Sequence, residues 1–365
     1  MGRIALIVLL SVVLFLTGCG KSNSHSYTLG VIGNFEGQNA NIDALRSIQL
    51  AVDDYHKAHP RSAKLEILSM DDSWDPQKAK RVLPELRAKC DFLFLQTTST
   101  AFMAVYPEIV KDNTRLYLSV GPATTEISNR DDNIIRNNLD TAREQADIAG
   151  FITRAKVRNL LVIRETERNA GYTESAMKQF RASYQGPLVE VSFSADHFDL
   201  TELLRVFHNG SFDMVYVISG GAPAEVAVIV QNLHREQAGL PVMTTPWVRG
   251  KFFTEALGPY SGHVVIPEYT LMSSDNKPYM EFTERYHKRF GTEPGYTAYY
   301  SYDLAHAFIE ALNRTGKTDA KSLISEMTKR QFDGVNGLMK FTSDGDVDSG
   351  LHFYRIEKDQ YEIIE

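Results

Sequence analysis

Residues 65–79, LEILSMDDSWDPQKA, place a strand, a turn and a helix start in immediate succession. Leu65–Met70 is a short apolar run of strand length. Asp75 is a good helix N-cap, and Pro76 suits the first helical position because its missing N–H would go unpaired there anyway. Working outward, the same unit recurs. Upstream, Thr28–Ile32 reads as a strand and Ile42–His56 as a helix burying Ile42, Leu45, Ile48, Val52 and Tyr55. Downstream come Phe92–Leu95, a helix from about Thr100 to Lys111, and Leu116–Ser119. Strands alternating with helices in this way build a parallel sheet covered on both faces.

The rhythm restarts after Arg136. Helix 142–155, strand Leu160–Arg164, helix 171–183, strand Leu188–Phe193, helix 199–208, strand Met214–Ile218, helix 223–236 and strand Val242–Thr244 follow in order. Val264–Ile266 reads as one more strand. The fold class is α/β, with a second doubly wound domain as the simplest reading. Three helices near 277–290, 297–313 and 319–329 and two terminal strands near 351–357 and 360–364 close the chain. Periodicity does not assign those late helices to either domain.

The N-terminus carries a different kind of signal. Arg3 precedes an apolar run from Ile4 to Leu16 broken only by Ser11, and Leu16-Thr17-Gly18-Cys19 follows. As a helix this run spans about 20 Å, short of the roughly 30 Å hydrocarbon core, so its dimensions fit a secretory leader better than a membrane span. The pattern resembles the lipidation box of bacterial lipoproteins, which implies Cys19 as the acylated mature N-terminus. Gly20–Ser26 is small and polar, a tether with a reach of about 15 Å. Cys90 is the only other cysteine, so an acylated Cys19 leaves no intrachain disulfide.

Composition narrows the function classes. A net charge of −7 without a basic stripe argues against a nucleic-acid partner. The histidines fall at no metal-ligand spacing, and no cofactor motif is present. G-x-S-x-G, H-E-x-x-H, G-x-G-x-x-G and the P-loop are all missing, so the chain does not read as an enzyme.

Ser69–Ala79 is also similar to a segment of the type I periplasmic binding proteins of the branched-chain amino acid and amide class, with its Asp-Asp pair followed by Asp-Pro. The similarity continues collinearly through Gly33–Gly37, Leu118–Ser128, Asn169–Tyr172, Phe198–Leu204, Tyr299–Asp303 and, most clearly, Phe332–Asp346 (FDGVNGLMKFTSDGD). The resemblance implies two doubly wound parallel-sheet lobes joined by three crossovers and closing on a small ligand. It divides the chain into a signal peptide over 1–19, a tether over 20–26, lobe one over 27–138 plus 269–335, and lobe two over 139–268 plus 336–365. It implies a monomer that hands its ligand to an ABC permease.

The binding residues follow from loops at strand ends. Thr98, Ser99 and Thr100 open a helix after a buried strand, where free N–H groups and hydroxyls attract an anion. They align with the family loop that holds the ligand carboxylate, although helix capping accounts for the same residues. Ala123 and Thr124 match the next such turn. From the second lobe come Tyr172, Gly221, Ala222 and Trp247. Trp247 stands where amino-acid binders place the glutamate that pairs with the ligand ammonium. Three readings stay open: Glu36 supplies the missing charge from the other lobe, the ligand is no α-amino acid and Trp247 stacks on a flat group, or Trp247 is a hinge or core aromatic. Function keeps two forms. One is a lipoprotein feeding an importer. The other is a regulatory or sensor lipoprotein of the same fold, acting on a signalling or cell-wall-synthesis partner.

Overall fold

The computed structural model describes residues 26–36, 40–357 and 360–365; Cys19 and the leader lie outside them. The first unit runs β1 (Ser26–Gly33), α1 (Asp43–Ala58), β2 (Lys64–Asp71), α2 (Pro76–Lys89), β3 (Phe92–Gln96), α3 (Ser99–Ile109), β4 (Tyr117–Val120) and β5 (Ile134–Arg136). Its strands form one parallel sheet in the order β2-β1-β3-β4-β5. The second unit runs α4 (Thr141–Arg154), β6 (Leu160–Thr166), α5 (Ala170–Ser183), β7 (Leu188–Ser194), α6 (Thr201–His208), β8 (Met214–Ile218), α7 (Pro223–Glu236), β9 (Val242–Thr244), α8 (Lys251–Leu257) and β10 (Val264–Glu268). The chain ends with α9 (Lys277–Phe290), α10 (Tyr296–Thr315), α11 (Ala320–Lys329), a hairpin of β11 (Gln331–Gly334) and β12 (Gly337–Lys340), then β13 (His352–Glu357) and β14 (Gln360–Ile363). The second sheet has the order β14-β13-β10-β9-β8-β6-β7, parallel except where β13 and β14 join antiparallel.

Local chemistry explains the element starts. The Asp75 carboxylate accepts the Lys78 N–H at 2.6 Å, so the capped turn expected from Asp75-Pro76 is present. The late helices pack on the first sheet. α10 is buried along nearly its whole length and puts Phe308 edge-on to Phe92 of β3, with ring centroids 4.8 Å apart. Three elements go unread in the sequence: β5, α8 and the β11–β12 hairpin, although Asn336-Gly337 is a hairpin signal. The first two are too short for a period to register, and the hairpin is held from outside, with buried Asp303 of α10 accepting the Val335 N–H at 2.7 Å.

The chain crosses between lobes after β5, after β10 and after β12. Arg136, the last residue of β5, is 1% exposed. Its guanidinium donates to Asp346 Oδ1 at 2.7–2.9 Å, to Ser128 Oγ at 2.7 Å, and to the carbonyls of Pro122 and Thr124 at 3.2–3.3 Å. Its backbone joins the returning segment as well, donating to Gly345 O and accepting from Val347 N. Gly345 sits at φ +84, and a Cβ there would lie 2.3 Å from Ile134 O, so no other residue lets the third crossover come this close.

Replacing Arg136 with methionine should cost about 3–5 kcal/mol, because Asp346 loses its buried partner. Urea denaturation measures this, and a loss below about 1 kcal/mol would show that the crossovers are held by something else.

Candidate functional site

The carboxyl ends of both parallel sheets face each other, and the loops there bring most of the expected residues together. In lobe one the Thr98 hydroxyl caps α3, accepting the Ala101 N–H at 3.2 Å. Ser99 is fully buried, and its Oγ accepts the Ala123 N–H at 3.0 Å, so this hydroxyl fastens two loops of its own lobe. Gly121 makes the turn between them possible: its φ is +113, and a Cβ would lie 2.2 Å from Thr97 O. Thr124 is buried and takes the Glu126 N–H on its hydroxyl at 3.3 Å.

Thr100 reaches across to lobe two. Its N–H and hydroxyl both donate to Asn169 Oδ1, at 3.4 and 3.3 Å, and its Oγ1 accepts the Gly171 N–H at 3.0 Å. The N-terminal ends of α3 and α5 therefore abut, and a Cβ on Gly171 would come within 3.1–3.3 Å of Thr100 and Ser99. Thr125 meets Ser175 at 3.4 Å beside them. The Asn169 amide continues to Gly220 O at 3.3 Å, and the Gly220 N–H donates to Glu165 at 2.8 Å. Ser219 Oγ donates to the same carboxylate at 2.6 Å while collecting the N–H groups of Gly221 and Ala222. Gly221 is exposed and Ala222 buried.

The aromatic wall centres on Trp247, which is 8% exposed. Tyr172, Tyr269 and Tyr296 surround its indole with ring centroids at 5.6, 6.1 and 5.7 Å, all edge-on. Its Nε1 finds no hydrogen-bond partner among the described residues. Glu36 stands apart: it is exposed, and its N–H donates to Asp71 Oδ1 at 3.2 Å. Lys78, Ser73 and two backbone N–H groups outweigh burial at Asp71 and bring its carboxyl down to about 2. Asp71 and the fully buried Asp72 thus organise the strand end.

Behind the wall lie groups that sequence reasoning missed. Glu144 is wholly buried and accepts the hydroxyls of Tyr172 at 2.5 Å and Tyr269 at 2.6 Å, plus the Gln145 amide at 2.8 Å. Burial raises its carboxyl to about 7 in spite of these donors. Arg249 forms a buried ion pair with Glu268 of β10, and the Tyr300 hydroxyl donates to the same glutamate. The signal for Glu144 was available: with Gln145 it interrupts the stripe Thr141, Ile148, Ala149, Ile152 that α4 buries. Arg249, Glu268 and Tyr296 gave none, because their meeting is long-range.

Because the Glu144 carboxyl titrates higher in the folded chain than in the unfolded one, its contribution to stability is complete below about pH 4.5 and is lost as pH rises through about 7. Glu144→Gln should remove that slope, worth at most about 1.4 kcal/mol per pH unit, from melting curves taken between pH 5 and 7.5. Parallel curves for the two proteins would contradict the assignment.

The family profile described as periplasmic binding protein matches residues 26–360. Among solved structures, a leucine-binding protein of Thermotoga maritima superposes with a TM-score of 0.80 at 16% identity, covering 93% of this chain and 98% of its own. A branched-chain amino acid transporter substrate-binding protein of Streptococcus pneumoniae, solved with isoleucine, gives 0.80 at 19% identity, covering 93% and 99%. A solute-binding protein of an ABC transporter from Rhodopseudomonas palustris, solved with 3,4-dihydroxybenzoic acid, gives 0.78 at 21% identity, covering 93% and 95%. No curated protein matches the chain in sequence.

Proposed function

We propose a ligand class and a mode of action from one premise: the chain belongs to the periplasmic binding protein family, whose members bind solutes and are not enzymes. The ligand is a small, flat, carboxylate-bearing molecule taken between the lobes. The observation that carries this reading is the opposition of two surfaces. On one side is the N-terminal end of α3, where Thr100 presents an N–H and a hydroxyl to an oxygen acceptor. On the other is the apolar wall of Trp247 and Tyr172, with the indole N–H unengaged among the described residues.

A helix N-terminus suits a carboxylate, since its free N–H groups and partial positive charge need no countering cation. An indole face and edge suit an aromatic ring or planar amide. An α-ammonium group fits less well, because Trp247 brings no charge and Glu36 is exposed on the lobe-one rim. The Rhodopseudomonas palustris relatives solved with 3,4-dihydroxybenzoic acid and with benzoate support an aromatic acid for this chain.

Delivery follows from closure. A ligand touching both lobes stabilises the closed arrangement by its differential affinity, and the closed face is what an ABC permease would read. Cys19 would hold the chain at the membrane through its acyl chains. Gly20 favours a second reading, in which the same clamp reports ligand to a regulatory partner. The aspartate typical of inner-membrane retention is missing from that position.

A thermal-shift screen of aromatic acids, amides and amino acids identifies the ligand, with about 2.7 kcal/mol of stabilisation expected at 100 times the dissociation constant. With benzoate-class ligands, Thr100→Ala and Trp247→Phe should each weaken binding about tenfold or more in calorimetry while leaving the melting temperature of the free protein within a few degrees, since phenylalanine keeps most of the buried wall filled. Unchanged affinity in both variants sinks the site. A shift with branched amino acids alone sinks the role given to Trp247.

A further inference from the structure

Away from the cleft, an open cavity of about 450 Å³ in lobe one is lined by Tyr55, His59, Pro60, Arg61, Ser62 and Asn313. It lies where the end of α1 and the loop to β2 meet the end of α10, joined by the Ala63 N–H donating to Asn313 Oδ1 at 2.9 Å. The Tyr55 and His59 rings stack 4.4 Å apart to form one wall. His56 fixes the loop from beneath, with Nε2 accepting the Leu65 N–H and Nδ1 paired with Ser62 Oγ at 2.9 Å.

The charge here runs against that of the molecule. The chain carries a net −7, yet residues 55–65 hold Lys57, Arg61 and Lys64 with no acid, and 313–318 add Arg314 and Lys317 with none. Of the neighbouring acids, Asp53 is paired with Arg289, Asp54 with Arg285 and Glu310 with Arg314, while exposed Glu66 and Asp319 flank the patch and Asp319 offsets part of the Lys317 charge. Among the described residues, no ion pair takes up Lys57, Arg61, Lys64 or Lys317. Lys57, His59, Arg61, Lys64 and Lys317 are all exposed.

The position of this pole fixes its partner. Ser26 opens β1 in register with Lys64 on the adjacent strand, so the chain enters the fold beside the basic loop. Residues 20–26 reach about 15 Å from Cys19. The attraction of an anionic surface fades within a Debye length of about 8 Å, so only a pole held this near the anchor can use it.

We propose that this pole docks on the phosphate headgroups of an anionic membrane, with Arg61, Lys57, Lys64 and Lys317 on the headgroup layer and the cavity seating one headgroup. The proposal rests on the reading of Cys19 as an acylated anchor, and it orients the tethered clamp with lobe one against the lipid.

The test uses the mature acylated chain on vesicles of phosphatidylcholine, with or without about a third phosphatidylglycerol, read by amide hydrogen exchange over residues 59–64 and 314–318. Exchange should slow at least threefold on the anionic vesicles. That protection should vanish in 0.5 M salt and in a K57E/R61E/K64E/K317E variant whose melting temperature confirms folding. Equal exchange on both vesicles overturns the docking. Equal protection by inorganic phosphate without vesicles also overturns it, in favour of a soluble anion. Retention on neutral vesicles reads the anchor separately. If the chain washes off them, cosedimentation with anionic vesicles alone still supports the pole, and its absence overturns it.

Discussion

The buried guanidinium of Arg136 is the constraint on which the rest of the molecule depends. A charge this deep is tolerated only when its donors all find acceptors. Those acceptors come from three places: Asp346 on the third crossover, Ser128 in the loop after β4, and the Pro122 and Thr124 carbonyls in the turn that borders the cleft. None of these is local to β5 in a way that would survive alone. The first and third crossovers and one wall of the site therefore form together or not at all. The second crossover has its own buried ties, with Glu268 held by Arg249 and the Tyr300 hydroxyl and with the Tyr269 hydroxyl on Glu144.

The opposite end is held by a different kind of contact. Thr100, Asn169, Gly171, Thr125 and Ser175 meet across the cleft at 3.0–3.4 Å, mostly at the long end of hydrogen-bond distances. Such bonds contribute roughly 0.5–1.5 kcal/mol each against water. A ligand that gives the α3 N-terminus a better acceptor than the Asn169 amide can replace them. The aromatic wall adds apolar area, with the three tyrosines edge-on to Trp247.

The strand–helix alternation and the parallel sheets were legible because each βα unit carries its own signal, of which Asp75-Pro76 is an example. The N-terminal ends of α3 and α5 were legible for the same reason, and Thr100 does face lobe two. Ser99 read as a ligand contact or a helix cap, because the sequence does not reveal that the Ala123 N–H will stand 3.0 Å from its hydroxyl. Trp247 was marked by a departure from a family pattern. Of its tyrosine surround, Tyr172 of α5 was in view, whereas Tyr269 after β10, Tyr296 of α10 and the Arg249–Glu268 pair between the segment before α8 and the end of β10 meet it only in the assembled fold. Sequence periodicity places residues on faces. It does not tell which distant face arrives opposite.

Parallel sheets also give the molecule a direction. Every strand of lobe one starts at one pole and ends at the other, and β1, eight residues long, spans about 26 Å between them. Its carboxyl end opens on the cleft loops, and its amino end enters beside Lys64. The same rule that puts ligands at the carboxyl ends of the strands sends the chain entry to the far side. The basic loop between α1 and β2 lies at that entry, opposite the cleft loops. The cleft loops and the chain entry are thus separated by the length of one strand.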